Sequence, residues 1–331
     1  MTQNLVKYYT KRRVKQPFSV DDHRTLQSVE KLKSINNKDN LTRTAAYLSY
    51  YKSHKNILWA LLASMVSRNA GWNMTDLQHE PYLRWLSARA RTTLFHTYER
   101  PNWLIFDDAY PQLLIYEQSL NMGRPLFYLL KAFGVSLFME IEWEYYWRSG
   151  DDRRLCTALI VNEQHVIEKP VLKHPYYHHQ VFDHLTFWLQ ERLRINAVVF
   201  PDLKGKLYGF STVNFRQVGE RILLGKRLFT VLFDKPEATR IQAFAESVPH
   251  TGSRWDYEQF RQASVKRDTE TLRELFPAIT HRRLTPTDWF DGHYKREWFC
   301  PPYTPPYDLT AWYRKKRRRL NMVGRLVGLE H

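Results

Sequence analysis

Residues able to do chemistry are densest between Asn40 and Asp76 of this 331-residue chain. One run reads Asn40-Leu41-Thr42-Arg43-Thr44-Ala45-Ala46-Tyr47, and a second reads Ser67-Arg68-Asn69-Ala70-Gly71-Trp72-Asn73-Met74-Thr75-Asp76-Leu77. A guanidinium holds a phosphate or carboxylate through two parallel N–H bonds, so Arg43 and Arg68 converging on one anion would make a binding site. Asn69, Asn73 and Asp76 would complete such a pocket, the site of an enzyme or a small-anion binder. A polar stretch further on, Thr251-Gly252-Ser253-Arg254, adds Arg254 and backbone N–H groups suited to cradling an anion. The same residue types also serve a buried network that locks helices together. On that reading Asn73 and Asp76 form a capping box, Gly71 is a left-handed helix stop, and Arg68 pairs with an acid such as Asp76. The structural network is the favoured of the two, and a pure scaffold is the third functional alternative.

A different chemistry is suggested by where the charge sits. Fifty Lys and Arg against 34 Asp and Glu give a formal charge of +16. Residues 1–16 carry five bases (Lys7, Lys11, Arg12, Arg13, Lys15) and no acid, and 314–331 carry seven bases against Glu330. The body from 17 to 313 is left with a net charge of only +5. The six consecutive bases Arg314, Lys315, Lys316, Arg317, Arg318 and Arg319 are an electrostatic handle for a phosphate backbone or an anionic membrane face, and also the pattern of a solvated tail. The leading functional expectation is therefore a binding protein whose free basic ends engage DNA or RNA.

Other signatures are weak or missing. His174, His178, His179 and His184, with Asp183, cluster without the spacing of a metal-binding helix, so no metal is expected. No P-loop, Gly-x-Gly-x-x-Gly, Gly-x-Ser-x-Gly or His-Glu-x-x-His pattern occurs. Which cofactor, if any, the protein uses stays open, as does whether it is an enzyme. Cys156 reads as a small core residue. Of Glu140, Glu142 and Glu144 only the first and last share a helix face, and a solvated helix end is expected there. Two cysteines cannot build a disulfide framework. The start of the chain is polar and basic, with no signal peptide, and no apolar run approaches the ~20 residues of a membrane span, so a cytoplasmic location is expected.

With 43% hydrophobic residues the chain is folded, and apolar spacing makes it mainly α. Helices are expected after a cap at Asp21-Asp22 and after Asn40 or Thr42. A buried one should run from Ile57 to Asn69 and stop at Gly71. Further helical patterns cover Tyr82–Tyr98, Trp103–Leu120 (with Pro111 as a break or second start), Pro125–Trp147, Asp152–Gln164, Val181–Ile195, Arg216–Phe233 and Glu258–Phe276. Near 205–215 the residues turn aromatic and β-branched, which allows at most a short β element. The expected layout is a basic segment 1–16, one multi-helix domain 17–313 whose Pro-rich part 285–313 wraps in extended form, a basic tail 314–328, and a tag remnant 329–331.

Asn37 and Asp39 to Thr44, together with Ser67 to Leu77, form a long composite motif. Shorter pieces accompany it: Glu220-Arg221-Ile222, Leu224-Gly225-Lys226, Pro249 to Arg254, and Asp256-Tyr257. In these pieces the chain resembles the bacterial family of domain of unknown function 2515, the YppC-like proteins. The resemblance implies a bacterial intracellular protein and brings no activity, cofactor or catalytic residue with it.

Overall fold

The computed structural model describes residues 3–15, 17–80, 82–172, 197–211, 217–260, 269–282, 288–316 and 318. The predicted helix over Val181–Ile195, the histidine cluster, Arg317, Arg319 and the tag remnant lie outside the described residues. The protein is mainly α. Helices α1 (Gln3–Lys15), α2 (Val20–Asn36), α3 (Asn40–Ser53), α4 (Leu58–Asp76), α5 (Tyr82–Trp85), α6 (Ala88–Met122), α7 (Leu137–Ser149) and α8 (Asp152–Val166) precede a small hairpin, β1 (Ala197–Pro201) and β2 (Leu207–Ser211). Two more helices, α9 (Val218–Phe233) and α10 (Ala238–Ser247), follow it. The main core joins apolar faces of α3, α4, α6, α7, α8 and α9, with Trp59, Phe106, Phe127 and Trp143 almost fully buried.

Helix starts fall slightly before their expected positions. Ser19 caps α2, with Asp22 returning the capping-box bond, and Asp39 caps α3 with Thr42 in the reciprocal place. Asn40 is thereby inside α3 and its side chain is free for tertiary use.

The largest correction concerns α4. It does not stop at Gly71 but continues for 19 residues to Asp76, so Asn73 is no cap. Gly71 serves close approach instead. A Cβ built there would lie 2.7 Å from His250 Nε2 and collide with Asn40 Oδ1, two atoms that hydrogen-bond each other across the bare backbone. Gly71→Ala should therefore destabilise the protein by about 1–2 kcal/mol, even though alanine favours a helix by about 1 kcal/mol over glycine. Urea denaturation compares the two, and a more stable variant would contradict this packing.

Proline also fails to interrupt α6, which passes through Pro101 and Pro111 over 35 residues. Each proline removes one backbone hydrogen bond, but burial of residues such as Phe106, Tyr110, Leu113 and Ile115 offsets the loss. The pattern over Pro125–Trp147 is instead divided. A 3-10 turn, Phe127–Phe133, ends at Gly134 in the left-handed region before α7 begins. The Glu258–Phe276 stretch is likewise not one helix, because its described parts are the single turns Trp255–Glu258 and Leu272–Leu275, the latter capped by Thr271.

The β element near 205–215 is present, and β1 is a partner that the sequence reading lacked. The pair is antiparallel, with Ala197 opposite Ser211 and Pro201 opposite Leu207. The Pro-rich wrap is extended over much of its described length, interrupted by a 3-10 turn at Arg296–Phe299 and ending in the helix that begins at residue 310, and it docks on the outer edge of β2. Gly209 N donates to Tyr307 O at 2.8 Å and Leu309 N to Leu207 O at 2.9 Å. Earlier in the wrap, Trp289 Nε1 donates to the buried Asn162 Oδ1 at 2.8 Å.

Neither basic end is a free tail throughout. Residues 310–316 are helical, so Arg314, Lys315 and Lys316 belong to a folded element. At the other end α1 lies along α7. Arg12 pairs with Glu144 at 3.0 Å, and Arg13 pairs with Asp288 at 2.9 Å and approaches Glu140 at 3.8 Å. The expected solvated glutamates are in fact buried. A row of carboxylates facing a core needs counter-charges, and α1 together with Arg154, bidentate on Glu142 at 2.8 and 2.9 Å, supplies them. Arg12 and Arg13 are thus neutralised within the fold, while Lys7 and Lys11 stay exposed on the outer side of α1.

Candidate functional site

Because α4 is uninterrupted, its residues separate onto distinct faces. Ser67 and Gly71, four apart, face α3. Asn69, Asn73 and Asp76, spaced i, i+4, i+7, share another face. Arg68 lies about 100° around the axis from Asn69. Arg68 and Asp76 are also about 12 Å apart along the helix, which rules out the expected pair between them.

The face toward α3 carries a buried polar chain. Asn40 Nδ2 donates to Ser67 O at 2.8 Å and to Ser67 Oγ at 3.0 Å, while Thr44 Oγ1 donates to Ser67 Oγ at 2.8 Å. With its amide nitrogen engaged there, Asn40 offers Oδ1 to His250, which must carry its proton on Nε2 (2.8 Å). Burial holds His250 at a pKa of about 4, despite the nearby Asp256, so the ring is neutral. Asp256 in turn accepts from Thr251 N at 2.9 Å and Thr251 Oγ1 at 2.7 Å. Every link joins one backbone segment to another. This is the network of the structural reading, and Ser67, with its oxygen accepting two bonds, is not poised as a nucleophile.

Arg43 and Arg68 do not converge on an anion. Arg43 is engaged by Glu99, both of whose oxygens lie 2.5 Å from Nη2, and by Asn37 Oδ1 at 3.2 Å from Nη1. Arg68 is buried over the Phe244 ring, with one hydrogen bond from Nη2 to Val248 O at 2.5 Å. Burial lowers its pKa to about 10 in spite of Asp256 nearby, and no acid forms an ion pair with it among the described residues. Spacing in the sequence could not reveal Glu99 or His250 as partners, since the contacts span 56 and 210 residues.

The third face of α4 opens on a cleft. Asn69, Asn73 and Asp76 line it, with Arg254 from the loop after α10 and Lys316 from the C-terminal helix. Tyr82, Tyr257 and Tyr313 wall it, and it encloses about 30 Å³, room for a water or two rather than a large ligand. Arg254 Nε meets Asp76 Oδ1 at 2.7 Å, and its Nη2 contacts the other carboxylate oxygen. Asn69 Oδ1 accepts from Val199 N at 3.0 Å, anchoring β1 to the same wall. Tyr257 and Tyr313 hydroxyls meet at 2.5 Å. Burial, and after it the Arg254 charge, brings the Lys316 ammonium down to about 7. Four of the six predicted anion residues thus meet one of the six predicted polyanion residues. Of the remainder, Arg314, Lys315 and Arg318 are exposed and lie within two residues of Lys316 in the chain. The sequence signal that could have found the cleft is the i, i+4, i+7 spacing, visible only if α4 is read straight through Gly71.

Among the described residues no group of His, Cys, Asp and Glu is arranged to hold a metal ion, and no helix is long and apolar enough to cross a membrane. The fold and the network define a mainly α protein knit around one composite polar motif, and residues 35–308 match the family model described as protein of unknown function (DUF2515). The chain belongs to that family. It is 44% identical over 301 residues, 90% of this chain and 93% of the relative, to the uncharacterized protein YppC of Bacillus subtilis (strain 168). No solved structure matches it.

Proposed function

We propose that this protein binds phosphate-bearing ligands at the cleft between α4 and the C-terminal helix, and that a nucleic-acid backbone is the source of those phosphates. The observation that carries the reading is Lys316, lying beside Arg254 with no acid paired to it among the described residues. Arg314, Lys315 and Arg318, exposed in the same segment, extend the positive surface away from the cleft mouth. A phosphate at the cleft mouth would pair with Lys316, the one of the two cations that Asp76 does not neutralise, and the exposed bases would hold the following phosphates. The unpaired state of both cysteines, Cys156 and Cys300, supports the cytoplasmic setting such a ligand requires.

The test is titration with a fluorescent oligonucleotide and, separately, with inorganic phosphate. If three phosphates are contacted, oligonucleotide affinity should fall roughly 40-fold between 50 and 200 mM salt. The triple variant Arg314→Ala/Lys315→Ala/Arg318→Ala should bind at least about tenfold more weakly. Affinity unaffected by both salt and the triple substitution overturns the nucleic-acid reading. Phosphate binding without oligonucleotide binding would assign the cleft to a small phosphorylated ligand instead.

A further inference from the structure

Helix α1 is attached to the body differently from the other long helices. Its buried residue Tyr9 belongs to a small cluster with Leu137 and Ile141 of α7, flanked by Val6 and Phe290, and no described residue of α1 enters the main core. Polar contacts supply the rest of the hold. Arg12 reaches Glu144, Arg13 reaches Asp288 and the Val135 carbonyl, and Lys131 Nζ donates to Arg13 O at 2.8 Å. One group in the seat opposes docking. Glu140, across from Arg13, is shut in with neither oxygen hydrogen-bonded, and it would regain water if the helix left. A seat made of ion pairs, a satellite apolar cluster and an unsatisfied carboxylate opens more readily than the core.

Docked and released forms also present different charge. Docked, α1 offers Lys7 and Lys11 to solvent while Arg12 and Arg13 face acids. Released, all four cations are available, and α1 carries no acid to oppose them. A ligand shifts such an equilibrium only by binding one form better, and a polyanion that gains two further cations meets that condition. The four bases are distributed around about two thirds of the helix circumference. That distribution fits phosphates on both walls of a nucleic-acid groove, whereas a flat lipid surface calls for bases on one face.

We propose that α1 is a releasable strap, held on α7 and the wrap by Arg12 and Arg13 and transferred to a nucleic-acid backbone that takes those cations from Glu144 and Asp288. The inference takes its ligand from the preceding reading and adds a second contact at the other end of the chain. Release uncovers Glu140, Glu144 and Asp288, and this acidic row repels the polyanion, so the strap is engaged away from its seat.

The test measures how often α1 leaves that seat. In full-length protein carrying Cys300→Ser, the substitution Ile141→Cys puts a thiol in the cluster under Tyr9, where iodoacetamide reaches it on opening, while Cys156 stays buried. Raising salt from about 50 to about 500 mM should speed alkylation roughly fivefold as the two arginine pairs are screened. A duplex oligonucleotide at the lower salt should speed it roughly fivefold as well. Adding Arg12→Gln/Arg13→Gln should give fast alkylation from the start and remove both responses. Where Ile141→Cys lowers the melting temperature, amide exchange within residues 3–15 of the unaltered protein replaces alkylation and should follow the same order. Opening of the wild-type strap that salt leaves unchanged overturns the proposal, whatever the variants do. Acceleration by salt or by phosphatidylserine vesicles, with none from the oligonucleotide, overturns transfer to nucleic acid. Oligonucleotide affinity measured in parallel separates the two ideas. Affinity that depends on Arg314, Lys315 and Arg318 without faster opening removes the strap alone, and faster opening with affinity indifferent to those bases removes the cleft reading alone.

Discussion

Arg43→Ala should destabilise the protein by about 3–5 kcal/mol, the range for removing one partner of a buried ion pair. Arg43 is 1% exposed and Glu99 3%, and the guanidinium is the strongest partner of that carboxylate. Without it, the basic neighbours of Glu99 among the described residues are two imidazoles, His281 at 3.6 Å and His96. The carboxylate must then take up a proton or remain charged in the interior, and either course opposes folding. Replacing both residues with apolar ones of similar size, as in Arg43→Met/Glu99→Leu, should recover most of the loss, since a buried pair adds little net stability over well-packed hydrophobes. Urea unfolding of the single and double variants measures both effects. A loss below about 1 kcal/mol for the single variant would show that the pair is not buried as described. Phosphate binding per folded molecule should survive Arg43→Ala, because Arg43 faces Glu99 and not the cleft.

Glu140→Gln should change how stability depends on pH. Glu140 is 1% exposed, neither of its oxygens has a hydrogen-bond partner, and Arg13 comes no closer than 3.8 Å. Burial raises its pKa to about 7, against the opposing charges of Arg13 and Arg12. A carboxyl raised in the folded state binds its proton more tightly there than in the unfolded chain. Its contribution is therefore most favourable below the unfolded value of about 4.5 and is lost as pH rises through 7. Between pH 4 and pH 8 the glutamine variant should gain about 3 kcal/mol relative to wild type. The sign runs opposite to that of His250, whose pKa of about 4 makes it lose stability as pH falls below its ordinary 6.5. Thermal melts of wild type and Glu140→Gln at the two pH values decide the matter, and parallel curves would show that Glu140 does not titrate as an isolated buried acid. The same carboxylate lies under α1, so ionisation of Glu140 strengthens its attraction to Arg13.

These two residues also mark how far the residue order could be read. Arg43 stood out as a cation in a polar motif, but nothing in spacing announced a carboxylate 56 positions away. Glu140 and Glu144 were visible as neighbours on one helix face. Their burial was not, because it depends on α1 returning over α7 with Arg12 and Arg13. Asn69, Asn73, Asp76 and Arg254 were all named from their types, whereas Lys316 was read as part of a tail and not as a wall of the cleft. The erroneous stop at Gly71 had one cause. Glycine serves equally for a left-handed turn and for close backbone approach, and only the presence of Asn40 and His250 against α4 distinguishes them.

Apolar periodicity, the excess of bases at the two ends, and the polar motifs were determined by the amino-acid order alone, as was membership of the family those motifs mark. These are local properties, set by a few residues and their immediate neighbours. Tertiary structure decided which cations are neutralised and which remain available. Arg12, Arg13 and Arg43 found acids, Arg68 was buried on Phe244, and Lys316 was brought beside Arg254 with no acid paired to it among the described residues. The physical reason is that charge pairing acts through space over a few ångströms, and the chain separations that bring those groups together carry no periodic signal.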